Sequence, residues 1–277
     1  MKEPNYKVDF FAGILLIIGL FVGASIAYAL GQGLSALLQN DIRENAWYQA
    51  LAYIVTFVSP VILYDVLMVR KDGNRLSFRF ASPPLKIYLL IFPMMIGMML
   101  IADFTTQLIP TTGPLLGPLY KMYTDAFSQL LTEPAALIVM TVILAPILEE
   151  VLFRGIILKG LINNGTQPIT AIIISAVIFG VVHFNPWQFA GALLLGLVLG
   201  LVYYRTNSLL VPILLHAFNN LTSALMLLCT DAYTYDKFFG VNGVILLITG
   251  IIIFGVSFYG LIFKTKINNN AISGRKP

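Results

Sequence analysis

The sequence is poor in almost everything that keeps a protein in water. Only 11% of its 277 residues are charged, 58% are hydrophobic and the mean hydropathy is +0.86. So little polar surface cannot cover a soluble globule, which places the chain in a bilayer. A single cysteine, Cys229, excludes an internal disulfide, and its apolar neighbours make it read as a small buried side chain rather than a reactive thiol. No internal repeat or low-complexity segment is present, which counts against transporter folds built from duplicated halves. There are only two histidines and no His-Glu-x-x-His. The net charge of +4 points to no nucleic acid, because the basic residues sit between apolar stretches.

What the chain does have is long apolar runs. Crossing the hydrocarbon takes about 20 mainly apolar residues, and such stretches fall near 10–38, 46–69, 86–109, 135–160, 168–184, 188–204, 208–229 and 240–263. Ala27, Ala29 and Gly31 resemble the end of a cleavable signal, but the run from Phe10 to Leu38 is too long for a signal's apolar region and reads as a retained span. Basic residues cluster in alternate connections: Lys2 and Lys7; Arg70, Lys71, Arg75, Arg79 and Lys86; Arg154 and Lys159; Arg205; and Lys264, Lys266, Arg275 and Lys276. Of the 17 basic residues, only Arg43, Lys121 and Lys237 fall in the other connections, beside Asp41, Glu44, Asp125, Glu133, Asp231 and Asp236. Basic side chains stay on the cytoplasmic side during insertion. The pattern predicts an all-α polytopic transmembrane helical bundle of about eight spans, multi-pass in the cell membrane, with both termini cytoplasmic. Between the third and fourth runs, Pro110, Gly113, Pro114, Gly117 and Pro118 predict a loop, and Leu119–Leu131 a short interfacial helix. Three regions result: 1–134, N-terminal spans with that loop and helix; 135–228, the core that carries the chemistry; and 229–277, the last span and a basic tail.

Ionisable side chains inside lipid cost about 2.5 to 3.5 kcal/mol at a helix centre, so each needs a reason. Asp65 and Asp103 lie near span ends, within reach of water. Tyr64-Asp65 forms half of an intramembrane aspartyl protease signature, but no Gly-x-Gly-Asp partner exists. The fourth span differs: Glu149, Glu150 and Arg154 lie within two turns of an apolar helix. Glu150 and Arg154, four apart, face each other as an ion pair, whereas Glu149 is rotated by about 100° away from that partner. A desolvated carboxylate without a cation is a stronger base than one in water, so Glu149 is the candidate general base and Glu150 with Arg154 the clamp. The bland alternative is a charge cluster at the inner end of the helix.

Both histidines lie in apolar spans. His183 has Phe179 one turn earlier on its face, and His216 has Asn220 one turn later. In a hairpin turning at 164–168, Glu149 and His183 reach matching heights. His216 lies only nine residues past Asn207, about 13.5 Å along its helix against about 22 Å for the other two. The three meet only if the fourth and fifth helices protrude beyond the neighbouring turn.

Glu-Glu-x-x-x-Arg at 149–154, Phe-x-x-x-His at 179–183 and His-x-x-x-Asn at 216–220, in that order on successive spans, resemble the CPBP intramembrane proteases. That family includes the prenyl-protein endopeptidases acting on CAAX proteins and bacterial Abi relatives. The resemblance covers roughly residues 135–228. It implies an intramembrane endopeptidase with a cytoplasm-facing cavity, in which Glu149 activates water, His183 positions it, and His216 and Asn220 stabilise the oxyanion. Glu150, Arg154 and Phe179 support them. The implied partners are the lipid bilayer and a peptide or protein substrate, with or without a lipid attached. No cofactor is favoured; if zinc or another divalent cation takes part, its ligands would be Glu149, His183 and His216. Rival readings are a proton-coupled transporter and a non-catalytic bacteriocin-immunity or scaffold protein.

Overall fold

The computed structural model describes residues 6–230 and 232–265, except for the side chains of residues 126, 127 and 129. Lys2, Asp231, Lys266, Arg275 and Lys276, and with them most of the predicted basic tail, lie outside the described residues. Among the described residues every regular element is helical. The helices are α1 (Phe10–Leu38), α2 (Ala46–Val69), α3 (Leu85–Gln107), α4 (Leu116–Leu131), α5 (Pro134–Asn163), α6 (Pro168–Val181), α7 (Pro186–Thr206), α8 (Leu210–Thr230), α9 (Tyr235–Phe239) and α10 (Gly243–Phe263).

Local chemistry sets many of the boundaries. Asp9 accepts a hydrogen bond from Ala12 N at the start of α1, Asn45 caps α2, Asn185 caps α7 and Asn242 caps α10, each taking up an N–H that the first turn leaves free. Proline opens α5, α6 and α7, where its missing N–H costs nothing. Gln39 and Asn207 end α1 and α7 in the left-handed conformation.

Seven helices, α1, α2, α3, α5, α7, α8 and α10, are long and apolar enough to cross a membrane. The chain is a multi-pass membrane protein. The stretch expected to cross at 168–184 forms only the 14-residue α6, about 21 Å at 1.5 Å per residue and short of a hydrocarbon core of about 30 Å. It stops because Phe184, at φ 55°, turns the chain left-handed straight into α7.

Large apolar side chains such as Phe21, Leu37, Ile252 and Val256 point outward from α1 and α10, as expected of lipid-facing surfaces. Cys229 is exposed, not buried; apolar neighbours do not imply burial within the protein when the surroundings are themselves apolar. Asp65 pairs with Arg70 at 2.6 Å, and Asp103 accepts hydrogen bonds from Gln107 Nε2 and Tyr235 N. Asp65 thus closes the end of its own helix, and Asp103 ties α3 to α9.

Side-chain and backbone bonds distinguish the two ends of the bundle. At the end holding the N-terminal segment, Val8 N bonds to Gly160 O, Asn163 Nδ2 to Tyr6 O, Lys159 Nζ to Ser77 O and Leu209 N to Arg79 O. Tyr6 donates to Gly155 O, and burial pushes its phenol well above the ordinary value, so that it stays a neutral donor. At the other end, Trp187 Nε1 donates to Ile109 O, and Trp187 packs against Tyr120 and Tyr123 of α4.

These bonds also resolve the height mismatch. Leu209, in the α7–α8 turn, lies level with Gly155, where an added Cβ would come 3.6 Å from Leu209 and 2.8 Å from Phe78. Helix α5 therefore continues about two turns past that turn, and its protruding end is wrapped by residues 6–8 and 74–79.

Candidate active site

Glu149 and Glu150 occupy a short α-helical stretch, Ala145–Glu150, flanked within α5 by π-helical stretches Val139–Leu144 and Val151–Leu158. Such widened turns recur at functional sites. The register has a consequence at Thr141. Ala145 N bonds to Met140 O, five residues back. The next carbonyl in that register, Thr141 O, faces Pro146, which has no N–H to give. Asn220 Nδ2 donates to that carbonyl at 2.7 Å, joining α8 to α5.

Glu150 and Arg154 form the expected pair, 2.7 Å apart, both fully buried. A second guanidinium nitrogen, Arg154 Nη2, donates to Gly196 O of α7 at 3.1 Å. Gly196 is needed there, since an added Cβ would press on Phe179 and Ala176 of α6 at 3.1 and 3.2 Å. The Phe179 ring lies under the guanidinium, 4.6 Å from its carbon, and edge-on to both His183 and His216. Phe179 thus packs the clamp and both imidazoles with one ring.

His216 joins the two carboxylates. Its Nδ1 is 2.9 Å from Glu150 Oε1 and its Nε2 is 3.8 Å from Glu149 Oε2. An ionised carboxylate only accepts, so Nδ1–H donates to Glu150 and Nε2 is the nitrogen left towards Glu149. His183 Nδ1 is 2.8 Å from Phe179 O. A carbonyl likewise only accepts, so Nδ1–H donates to it and Nε2 is the nitrogen that Phe179 does not engage.

Glu149 has a partner the sequence did not reveal: Tyr53 of α2 donates its phenolic hydrogen to Oε1. The other oxygen, Oε2, is buried and accepts no hydrogen bond. A phenol in the middle of a span needs a partner, which singles out Tyr53 as worth explaining, but nothing in the sequence pairs it with Glu149. Asn219, whose Nδ2 donates to Asn220 Oδ1 at 2.9 Å, was also missed.

Glu149, His183, His216 and Asn220 all line one cavity of about 510 Å³. Glu150 and Arg154 lie behind it. The rest of its wall is largely apolar, including Met95, Leu137, Met140, Leu195 and Leu199, with Tyr53, Gln188 and Ser223 adding polar groups. Among the described residues no three His, Cys, Asp or Glu side chains converge as metal ligands. Glu149, His183 and His216 therefore do not form the three-ligand set considered from sequence, and no step below is routed through a metal.

The cavity reaches the end of the bundle capped by α4, where Tyr123 and Leu130 contribute to its wall. That is the end opposite the N-terminal segment.

Residues 131–222 match the family model described as Type II CAAX prenyl endopeptidase Rce1-like. The chain is also 34% identical over 97 residues to YdiL of Bacillus subtilis (strain 168), a membrane protein provisionally named as a peptidase; the match covers 35% of this chain and 39% of that protein. No solved structure matches the chain. The matched segment runs from just before α5 to Asn220 and beyond, and it carries the three motifs in order.

Proposed function

We propose that the protein is an intramembrane endopeptidase in which Glu149 is the general base. The observation that carries this reading is the convergence of Glu149, His183, His216 and Asn220 on one largely apolar cavity. The unpartnered Oε2 of Glu149 takes a proton from water while His183 Nε2 accepts the water's other hydrogen and orients it. The hydroxide oxygen adds to the scissile carbonyl carbon, and the carbonyl electrons move onto oxygen. The second N–H of the Asn220 amide donates to that oxyanion, with the His216 imidazole, held through Nδ1–H by Glu150, beside it. Collapse of the adduct breaks the C–N bond, and Glu149 returns its proton to the leaving amine.

Tyr53 positions Glu149 through Oε1, and the Glu150–Arg154 pair holds His216. Preorganised donors in a dry site suit such a reaction, one oxyanion donor being worth about 2.7 to 4 kcal/mol. The substrate is a peptide or protein segment at the membrane of the cell. Comparing membrane peptidomes of cells carrying the wild type and Glu149→Gln tests the reading: fragments present only with the wild type are expected, and identical peptidomes would refute it.

A further inference from the structure

We infer that the substrate reaches this cavity from the extracytoplasmic side, as an apolar peptide segment exposed on that face of the membrane. What happens to the segment rests on the protease reading above; the side of entry does not.

The cavity is built from the α4 end of the bundle inward. Along α5 its wall runs from Leu137 down to Glu149, along α7 from Gln188 to Leu199, and along α8 from Ala224 to His216. No residue of the opposite-end connections 70–84, 159–167 or 205–209 lines it. That opposite end is closed by packing. The buried Glu150–Arg154 pair lies behind the site, and beyond it the Tyr6 bond to Gly155, the Val8 bond to Gly160 and the Arg79 bond to Leu209 bind the covering segments to α5 and α8. An access route from there would have to break these contacts.

Charge assigns the two ends to the two sides of the membrane. The closed end carries Lys7, Arg70, Lys71, Arg75, Arg79, Lys86, Lys159 and Lys264. Among the described residues only Arg43, Lys121 and Lys237 stand at the cavity end; Arg43 and Lys121 pair with Asp41 and Asp125 at 2.5 and 2.8 Å, whereas of the basic residues named at the closed end Arg70 pairs with Asp65. Basic connections remain cytoplasmic, so the closed end faces the cytoplasm and the mouth faces out. Among the described residues, Glu149 and the two histidines are the only ionisable His, Asp, Glu, Lys or Arg side chains in the cavity wall. With Glu149 engaged in the reaction, a charged peptide side chain finds no counter-ion in the rest of the described wall, whereas Met95, Leu137, Met140, Leu195 and Leu199 accept an apolar one.

The test uses the full-length protein in sealed vesicles of both orientations. In a Cys229→Ser background, single cysteines are placed in the cavity wall (Ser223→Cys), in the loop before α4 (Thr112→Cys) and at the closed end (Lys71→Cys), and each is exposed to a membrane-impermeant thiosulfonate. Labelling of positions 223 and 112 in right-side-out vesicles, and of position 71 only in inverted ones, is the expected result. The reverse pattern overturns the inference, and Thr112→Cys reports the side even where Ser223→Cys fails to fold. An impermeant peptide with an apolar core, added outside, is expected to be cut by right-side-out vesicles of the wild type and not of Glu149→Gln. Cutting by inverted vesicles alone overturns the inference. The expected labelling with cleavage that survives Glu149→Gln instead refutes the protease reading and leaves the side of entry in place.

Discussion

Tyr53 on α2 donates a hydrogen bond to Oε1 of Glu149 on α5, so the proposed base is held by a residue 96 positions earlier and outside the segment that matches the family model. Removing that hydroxyl alone should leave the fold intact and misplace the carboxylate. Tyr53→Phe is expected to lower kcat by about tenfold, the equivalent of one hydrogen bond to a charged group, with little change in KM. A loss confined to KM would mean that Tyr53 touches substrate rather than the base.

The buried Glu150–Arg154 pair should show itself in stability. Replacing Arg154 by Met leaves Glu150 buried with only His216 beside it, at a cost of about 3 to 5 kcal/mol. Thermal unfolding in detergent is expected to fall by many degrees for Arg154→Met and to stay unchanged within error for Arg43→Gln, whose partner Asp41 is exposed. Equal melting temperatures for the two variants would show that the pair holds nothing.

Asn220 has two tasks, bonding the Thr141 carbonyl and donating to the oxyanion. Asn220→Leu is expected to lower kcat by about 10² to 10³, as for other single oxyanion donors, and to destabilise α5 where Pro146 leaves that carbonyl free. Thr141 hydrogen exchange cannot report on a carbonyl, so infrared spectroscopy of a ¹³C-labelled Thr141 carbonyl is the check: its amide I band should shift when Asn220 is replaced.

His183 is assigned as an acceptor through Nε2 because Nδ1–H is committed to Phe179 O. His183→Gln keeps polarity without that fixed acceptor and should depress kcat more than KM. Retention of full turnover would remove His183 from the mechanism.

Much of this was legible in the sequence. Composition and run length foretold the helical bundle, and the spacing of Glu150 and Arg154 gave their pair. The two isolated histidines, each with a partner one turn away, marked the helices that meet at the site. Three things were hidden for physical reasons. The shortness of α6 depends on a left-handed Phe184, which no propensity favours. The π-helical stretches arise where Pro146 and the surrounding packing override ordinary helical register. The direction of the cavity is set by how α4 caps the bundle, while motif spacing only says that the residues share a depth. Cys229 was misjudged because lipid and protein interior look alike to a reading based on apolar neighbours.

The most direct test of the central claim is cleavage by purified protein in proteoliposomes, comparing the wild type with Glu149→Gln on peptides recovered from the wild-type peptidome. General-base catalysis is worth about 10² to 10⁴ in rate, so the account predicts that Glu149→Gln loses at least the lower of these factors in kcat while still binding the peptides and keeping the wild-type melting temperature. Cleavage at the wild-type rate by a folded Glu149→Gln protein would contradict it.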